Sequence, residues 1–157
     1  MQIGKEKPMD EVTTDQHAEV IKKMFEVSRP DGDYCPMALL GTEDAAVVVG
    51  LANGDFDAQI DVLLVLVKEH PTQSVVYSAD IWASRLPKGM PSQEWYRPSE
   101  APDRTEALLV VNAKHASLEL RMFPYHLEDE RVVWDDLGDG PAHVEARRWD
   151  EVQAALV

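Results

Sequence analysis

Charged and aromatic side chains bracket a long proline-rich segment of the sequence. Asp80 and Trp82 alternate near the end of a run of β-forming residues, and Arg104 precedes the next such run. A guanidinium presents five donors in a planar fork, which matches a carboxylate or another anion. We therefore expect either a structural ion pair of Arg104 with Asp80 or Glu100, or a binding site. The candidate binding residues are Asp80, Trp82, Trp95, Tyr96, Glu100, Asp103 and Arg104.

Residues 84–105 show no helical or strand periodicity, which predicts a long irregular loop. Trp95 and Tyr96 lie within it, and these residue types are enriched at the cores of protein interfaces. Irregular loops of this length often carry function, so the segment predicts a partner-binding loop. The alternative interpretation is that Trp95 folds back and covers the sheet.

The sequence contains none of the usual catalytic or metal-binding patterns. Cys35 has no basic neighbour closer than Arg29 to activate its thiol, and no glycine-rich phosphate loop is present. His126 beside Glu128 and Asp129 is a minor metal candidate. The histidines show no ligand spacing; they are His17, His70, His115, His126 and His143. We predict no catalytic residue, no metal and no cofactor, and an enzyme is the least favoured class.

The chain is strongly acidic, with 29 acidic and 15 basic residues and a net charge of −14. This charge repels phosphates and anionic lipids, so we expect no direct binding to nucleic acid or membrane. The single cysteine and the absence of a signal sequence predict a cytoplasmic protein. The acids concentrate at 41–70 and 126–151, whereas residues 71–125 carry six acids and six bases. The excess serves either solubility or an acidic face for a basic partner.

Hydrophobic periodicity predicts an α+β fold with a single antiparallel sheet of about five strands and packed helices. The element order is α-β-β-α-β-β-β, followed by a short strand and a terminal helix. Residues 1–12 form a flexible arm and 13–157 a single domain. The expected elements are a first helix capped by Thr13, a second from Asp55 or Asp57 to His70, a last within Ala146–Val157, and strands at Met37–Leu40, Ala45–Leu51, Ser74–Ala83, Ala107–Ala113, Ser117–Phe123 and Arg131–Trp134.

The second helix carries Ile60 and Leu63 on one face, and Val62, Val65 and Leu66 widen its apolar surface. This distribution predicts a heavily buried core helix.

Two segments carry a resemblance to a known family. Ser78-Ala-Asp-Ile-Trp82, followed by Pro98-Ser-Glu-Ala-Pro-Asp-Arg-Thr-Glu-Ala-Leu108, resembles an uncharacterised family of small bacterial and phage proteins. The likeness covers residues 74–124, and the family usually has Glu where this chain has Asp80. It implies a bacterial or phage source and no catalytic residues. The element order is also similar to that of profilin-like and roadblock-like folds.

The first functional hypothesis is a non-catalytic protein-binding or regulatory module that acts on a host factor. One alternative is a protein that binds or sequesters a small anionic ligand around Asp80, Trp82 and Arg104. Another is a DNA-mimic-like inhibitor of a basic partner. Edge strands at 131–134 or in the first hairpin also allow a homodimer.

Overall fold

The computed structural model describes residues 12–52, 55–85, 100, 104–135, 142–144 and 148–157. Three helices and seven strands lie in these ranges. The helices are α1 (Thr14–Ser28), α2 (Phe56–Glu69) and α3 (Trp149–Ala155), and a one-turn 3-10 helix (Arg29–Asp31) follows α1. The strands are β1 (Met37–Gly41), β2 (Ala46–Gly50), β3 (Ser74–Arg85), β4 (Thr105–Lys114), β5 (Ser117–Glu128), β6 (Arg131–Trp134) and β7 (Ala142–Val144).

The strands form one curled antiparallel sheet in the order β2-β1-β3-β4-β5-β6. The predicted α+β class with a single antiparallel sheet is confirmed, but the sheet has six strands in this order where about five were predicted. The predicted element order holds except for one additional strand. The strand β7, which the sequence analysis did not predict, pairs with the end of β3 through Ala83–Arg85. This pairing explains why β3 continues to Arg85 when a loop was predicted from residue 84. The remaining predicted loop residues, 86–99 and 101–103, lie outside the described ranges, as does most of the predicted arm.

Helix α1 begins as the sequence predicts, with a capping box at its first turn. The Thr13 hydroxyl accepts a hydrogen bond from the Gln16 amide at 3.1 Å, and the Gln16 side chain accepts one from the Thr13 amide at 2.9 Å. Two amides that lack helical partners are thereby satisfied. Arg29 still has helical geometry, but Pro30 has no amide hydrogen for the next helical bond, so α1 ends at Ser28 and the chain tightens into the 3-10 turn.

Helices cover both faces of the sheet because β3 and β4 are apolar on both sides. On one face, Val75 and Tyr77 of β3 pack with Ile60 and Leu63 of α2 and with Trp149 of α3. The other face is covered by α1. Its core consists of Ala18, Ile21, Phe25, Tyr34, Val76, Leu108, Val110 and Tyr125.

The prediction that α2 is heavily buried is wrong for part of its surface. Gln59, Ile60, Leu63 and Val67 are buried, whereas Val62 and Val65 are 47% and 55% exposed. Helix α2 lies at the surface of the molecule with one face on the sheet, so apolar residues beyond that face remain in contact with solvent.

The difference in burial between the two sides of α2 predicts unequal losses of stability for alanine substitutions at two neighbouring positions. Leu63→Ala should lower the free energy of unfolding by roughly 2–5 kcal/mol, because the side chain is fully buried and leaves a cavity. Val62→Ala should change it by less than about 0.5 kcal/mol. Urea denaturation of both variants measures the difference, and equal losses would contradict the described orientation of α2.

Candidate functional site

The guanidinium of Arg29 joins the end of α1 to three strands of the sheet. Its Nε lies 3.1 Å from Asp80 Oδ2 on β3 and 2.9 Å from the Tyr125 hydroxyl on β5. Its Nη2 lies 3.1 Å from Glu106 Oε2 on β4. The 3-10 turn after α1 therefore holds Arg29 over the sheet, where alternate residues of β3, β4 and β5 face it. We call Arg29, Asp80, Glu106 and Tyr125 the polar cluster.

Within the polar cluster, three oxygen atoms are linked by close contacts that require protons. The Tyr125 hydroxyl lies 2.8 Å from Asp80 Oδ2 and within hydrogen-bond distance of Glu106 Oε2. A phenol has one proton and can donate to only one of these oxygens. Tyr125 therefore lies between the side chains of Asp80 and Glu106 and brings the two acidic groups together.

Burial and neighbouring charges shift the pKa values of three members of the cluster. Burial, the largest effect, and the neighbouring Glu106 carboxylate together raise the pKa of Asp80 to about 6, against the opposing effects of Tyr125 and Arg29. Asp80 Oδ1 is buried and has no hydrogen-bond partner, which disfavours the ionised form. Burial and the two adjacent carboxylates also raise the pKa of Tyr125. Burial opposes the charge of Arg29, but its hydrogen bonds to Tyr125 and Glu106 raise the pKa overall.

The polar cluster is suited to fastening α1 to the sheet. The Arg29 guanidinium lies between the Asp80 and Glu106 carboxylates, in the position that a bound metal cation would need. Among the residues described, no group of three or more metal-ligating side chains converges. The contacts of Arg29 with Asp80, Glu106 and Tyr125 give this cluster a structural role.

The sequence-predicted site is only partly brought together. Asp80 pairs with Arg29 rather than Arg104, so that predicted ion pair is wrong. The Arg104 guanidinium instead lies over the Trp82 ring, 5.0 Å from its centroid, and Trp82 is 40% exposed. Glu100 is exposed. The positions of Trp95, Tyr96 and Asp103 lie outside the described residues.

Sequence reasoning missed Arg29, Glu106 and Tyr125 as members of the cluster. In the sequence, Arg29 stands out only as the basic residue nearest to Cys35. A signal was available for Glu106, because it alternates with Leu108 and Val110 on the α1 face of β4. The signal for Tyr125 was masked by Pro124, since the predicted strand ended at Phe123 and β5 continues to Glu128.

A second feature of the α1 face is an apolar groove between α1 and strands β1 and β2. Its volume is about 430 Å³. Nine of the twelve lining residues are apolar; the lining comprises Val12, Gln16, His17, Val20, Ile21, Met24, Met37, Ala38, Leu39, Val48, Val76 and Ser78. The polar residues of the lining add little charge to the groove. Burial lowers the pKa of His17 and the charge of Lys114 lowers it further, which favours the neutral imidazole. The Ser78 hydroxyl lies 2.8 Å from that of Tyr34.

The groove opens onto β2, the strand at the end of the sheet order. Val48 is 66% exposed, Val20 on α1 is 60% exposed, and Met24 is also exposed. These three side chains line the groove and belong to two elements that face each other across it. An apolar groove beside an uncovered strand is a surface that a binding partner can bury.

No protein-family model, curated protein or solved structure matches this chain. In the described part of the chain, no helix has the length and apolar content needed to cross a membrane.

The raised pKa of Asp80 predicts pH-dependent stability. Its pKa is about 6 in the folded protein and 3.8 ordinarily, so the folded state binds more protons than the unfolded state between these values. The contribution of Asp80 to the free energy of unfolding should therefore fall as the pH rises from about 4 to about 6, by roughly 2–3 kcal/mol.

Chemical denaturation of the wild type and of Asp80→Asn across this pH range measures the contribution. The difference in stability between wild type and variant should shrink as the pH rises, because the variant has no carboxyl group to titrate at this position. Parallel pH profiles for the two proteins would show that Asp80 titrates normally.

Proposed function

We propose that the protein is a non-catalytic protein-binding module that receives its partner in the groove between α1 and strands β1 and β2. The observation that carries this proposal is the apolar lining of the groove, continuous with exposed side chains on an edge strand. A volume of 430 Å³ also falls within the range of small-molecule pockets. The adjoining exposed strand favours a macromolecular partner, because it extends the surface beyond the cavity.

The exposed apolar residues of the groove supply the driving force for association. Single exposed apolar side chains are ordinary on protein surfaces. Val20, Met24 and Val48 differ because they converge on one concavity. Burial of apolar surface contributes about 25 cal/mol per Å², so full burial of a valine or methionine side chain contributes roughly 1.5–3 kcal/mol. A few such contacts at the centre of an interface are enough for specific binding.

The polar cluster supports the other functional hypotheses less well. Arg29 forms ion pairs with both carboxylates, those of Asp80 and Glu106. The described groups therefore hydrogen-bond to one another and do not surround an open position in which a ligand could bind. An anionic ligand near Asp80 would also meet the second carboxylate, Glu106. The pair of Trp82 and Arg104 is the part of the sequence-predicted site that remains a candidate for contact with a partner.

The proposal predicts that charge introduced into the groove abolishes partner binding. Val48→Lys places an ammonium group in the apolar lining, and Val62→Lys places one on the exposed surface of α2, outside the groove. The first variant should reduce the recovery of specific partners roughly tenfold or more, whereas the second should retain them. Tagged proteins are compared by affinity capture from cells that naturally express the chain, with quantitative mass spectrometry.

Two further measurements make the comparison decisive. Thermal denaturation establishes that both lysine variants are folded. A double variant, Trp95→Ala with Tyr96→Ala, tests the sequence-predicted loop in the same assay. Identical partners for the wild type and Val48→Lys would refute the groove as the binding surface. Loss of partners in the loop variant alone would move the binding surface to residues 84–105.

A further inference from the structure

We propose that the partner binds as an extended strand that adds to the edge of β2 that pairs with no described strand, with apolar side chains in the groove alternating with lysine or arginine. This inference rests on the proposed function and specifies its binding mode and the chemistry of the partner segment. Addition of a strand to a sheet edge uses main-chain hydrogen bonds for affinity and pockets for alternate side chains for selectivity.

The register of the hairpin determines which backbone groups of β2 face outward. The Thr42 amide donates to the Ala45 carbonyl at 2.8 Å, and the Leu51 amide donates to the Pro36 carbonyl at 2.8 Å. In an antiparallel pair, hydrogen-bonded residues alternate with residues whose N–H and C=O groups point away from the neighbour. The residues of β2 that present these groups to the free edge are therefore Ala46, Val48 and Gly50.

The same alternation places the side chain of Val48 in the groove. Val48 pairs with Leu39 of β1, and both line the groove beneath α1. A strand added beside β2 continues the pleat, so every second side chain would lie on the groove face, next to Val20 and Met24. Backbone pairing and apolar burial thus occur together at one residue, Val48.

The composition of β2 supports this use of its edge. Edge strands commonly carry a lysine, a proline or a bulge, which discourages pairing with other chains. Strand β2 has none of these: its sequence is Ala-Val-Val-Val-Gly, and it pairs with β1 in continuous register from Ala46 to Gly50. Its length of five residues is sufficient for a short added strand.

Charge distinguishes the partner from a second copy of this chain. Glu43 and Asp44 lie exposed in the turn that leads into β2, at one end of the proposed binding edge. A second copy would bring the same acids and a net charge of −14. A segment bearing lysine or arginine gains from the acidic surroundings at physiological salt.

Designed peptides test the inference directly on the full chain. The first probe is a nine-residue peptide of alternating valine and lysine, with fluorescein on its amino terminus and an amidated carboxyl terminus; the other two peptides carry the same label. The second has glutamate in place of lysine, and the third contains the residues of the first in two blocks, so it keeps the charge and loses the alternation. Fluorescence anisotropy should show roughly tenfold tighter binding of the first peptide than of the other two, with weaker binding at high salt.

Amide hydrogen exchange by NMR locates the bound strand. Saturating alternating peptide should slow the exchange of the Ala46, Val48 and Gly50 amides, since these point to the free edge. Ala46→Pro removes one outward amide and leaves the pairing with β1 in place, because proline is tolerated at the first residue of an edge strand. It should weaken binding of the alternating peptide, and Val62→Lys should not.

Three results would overturn the inference. The first is equal binding of all three peptides, or of none. The second is binding of the alternating peptide without protection of the outward amides. The third is protection that rises with protein concentration in the absence of peptide, because that would identify a second copy as the occupant. The proposed function is judged separately. If Val48→Lys loses the cellular partners and Ala46→Pro retains them, the groove is the binding surface and strand addition is not its mode.

Discussion

The guanidinium of Arg29 lies where the end of α1 meets β3, β4 and β5, and the α1 face of the sheet depends on this contact. Two carboxylates and a phenol surround one cation in a site that excludes most water. Such a group is costly to desolvate, so the arrangement is stable only while its donors and acceptors match. The cluster therefore restricts how α1 can lie on the sheet and fixes the C-terminal end of the helix.

The opposite end of α1 is held by different contacts, and together the two ends determine where the groove lies. Asn112 of β4 donates to the Thr14 hydroxyl at 3.1 Å, and Arg121 of β5 pairs with Asp15 at 2.9 Å. Helix α1 is thereby placed over β4 and β5, with Phe25 packed on Tyr125. On this face, the described helices leave β2 at the end of the sheet exposed. The groove is the space between α1 and strands β1 and β2.

The groove and the polar cluster place opposite structural demands on one face of the molecule. The cluster requires exact geometry, because an unmatched carboxylate in a partly buried site is destabilising. The groove tolerates variation in its contents, because apolar burial is non-directional. The two features are connected by α1, which supplies one wall of the groove and leads directly into Arg29. Helix α1 is thus held by polar contacts at both ends, and the side chains between them border the groove.

The sequence by itself determined the α+β class, the element order, the capping box at Thr13 and the two-sided alternation of β3, because these depend on local periodicity and on residues close in the chain. It did not determine the partner of Asp80, which is 51 residues away, or the contact of Glu106 with Tyr125. It also predicted too much burial for Val62, since periodicity shows which faces are apolar and not which face has a neighbour. Only the tertiary structure decided these points, because they depend on where α1 and α2 lie on the sheet, and that placement is fixed by packing between distant segments.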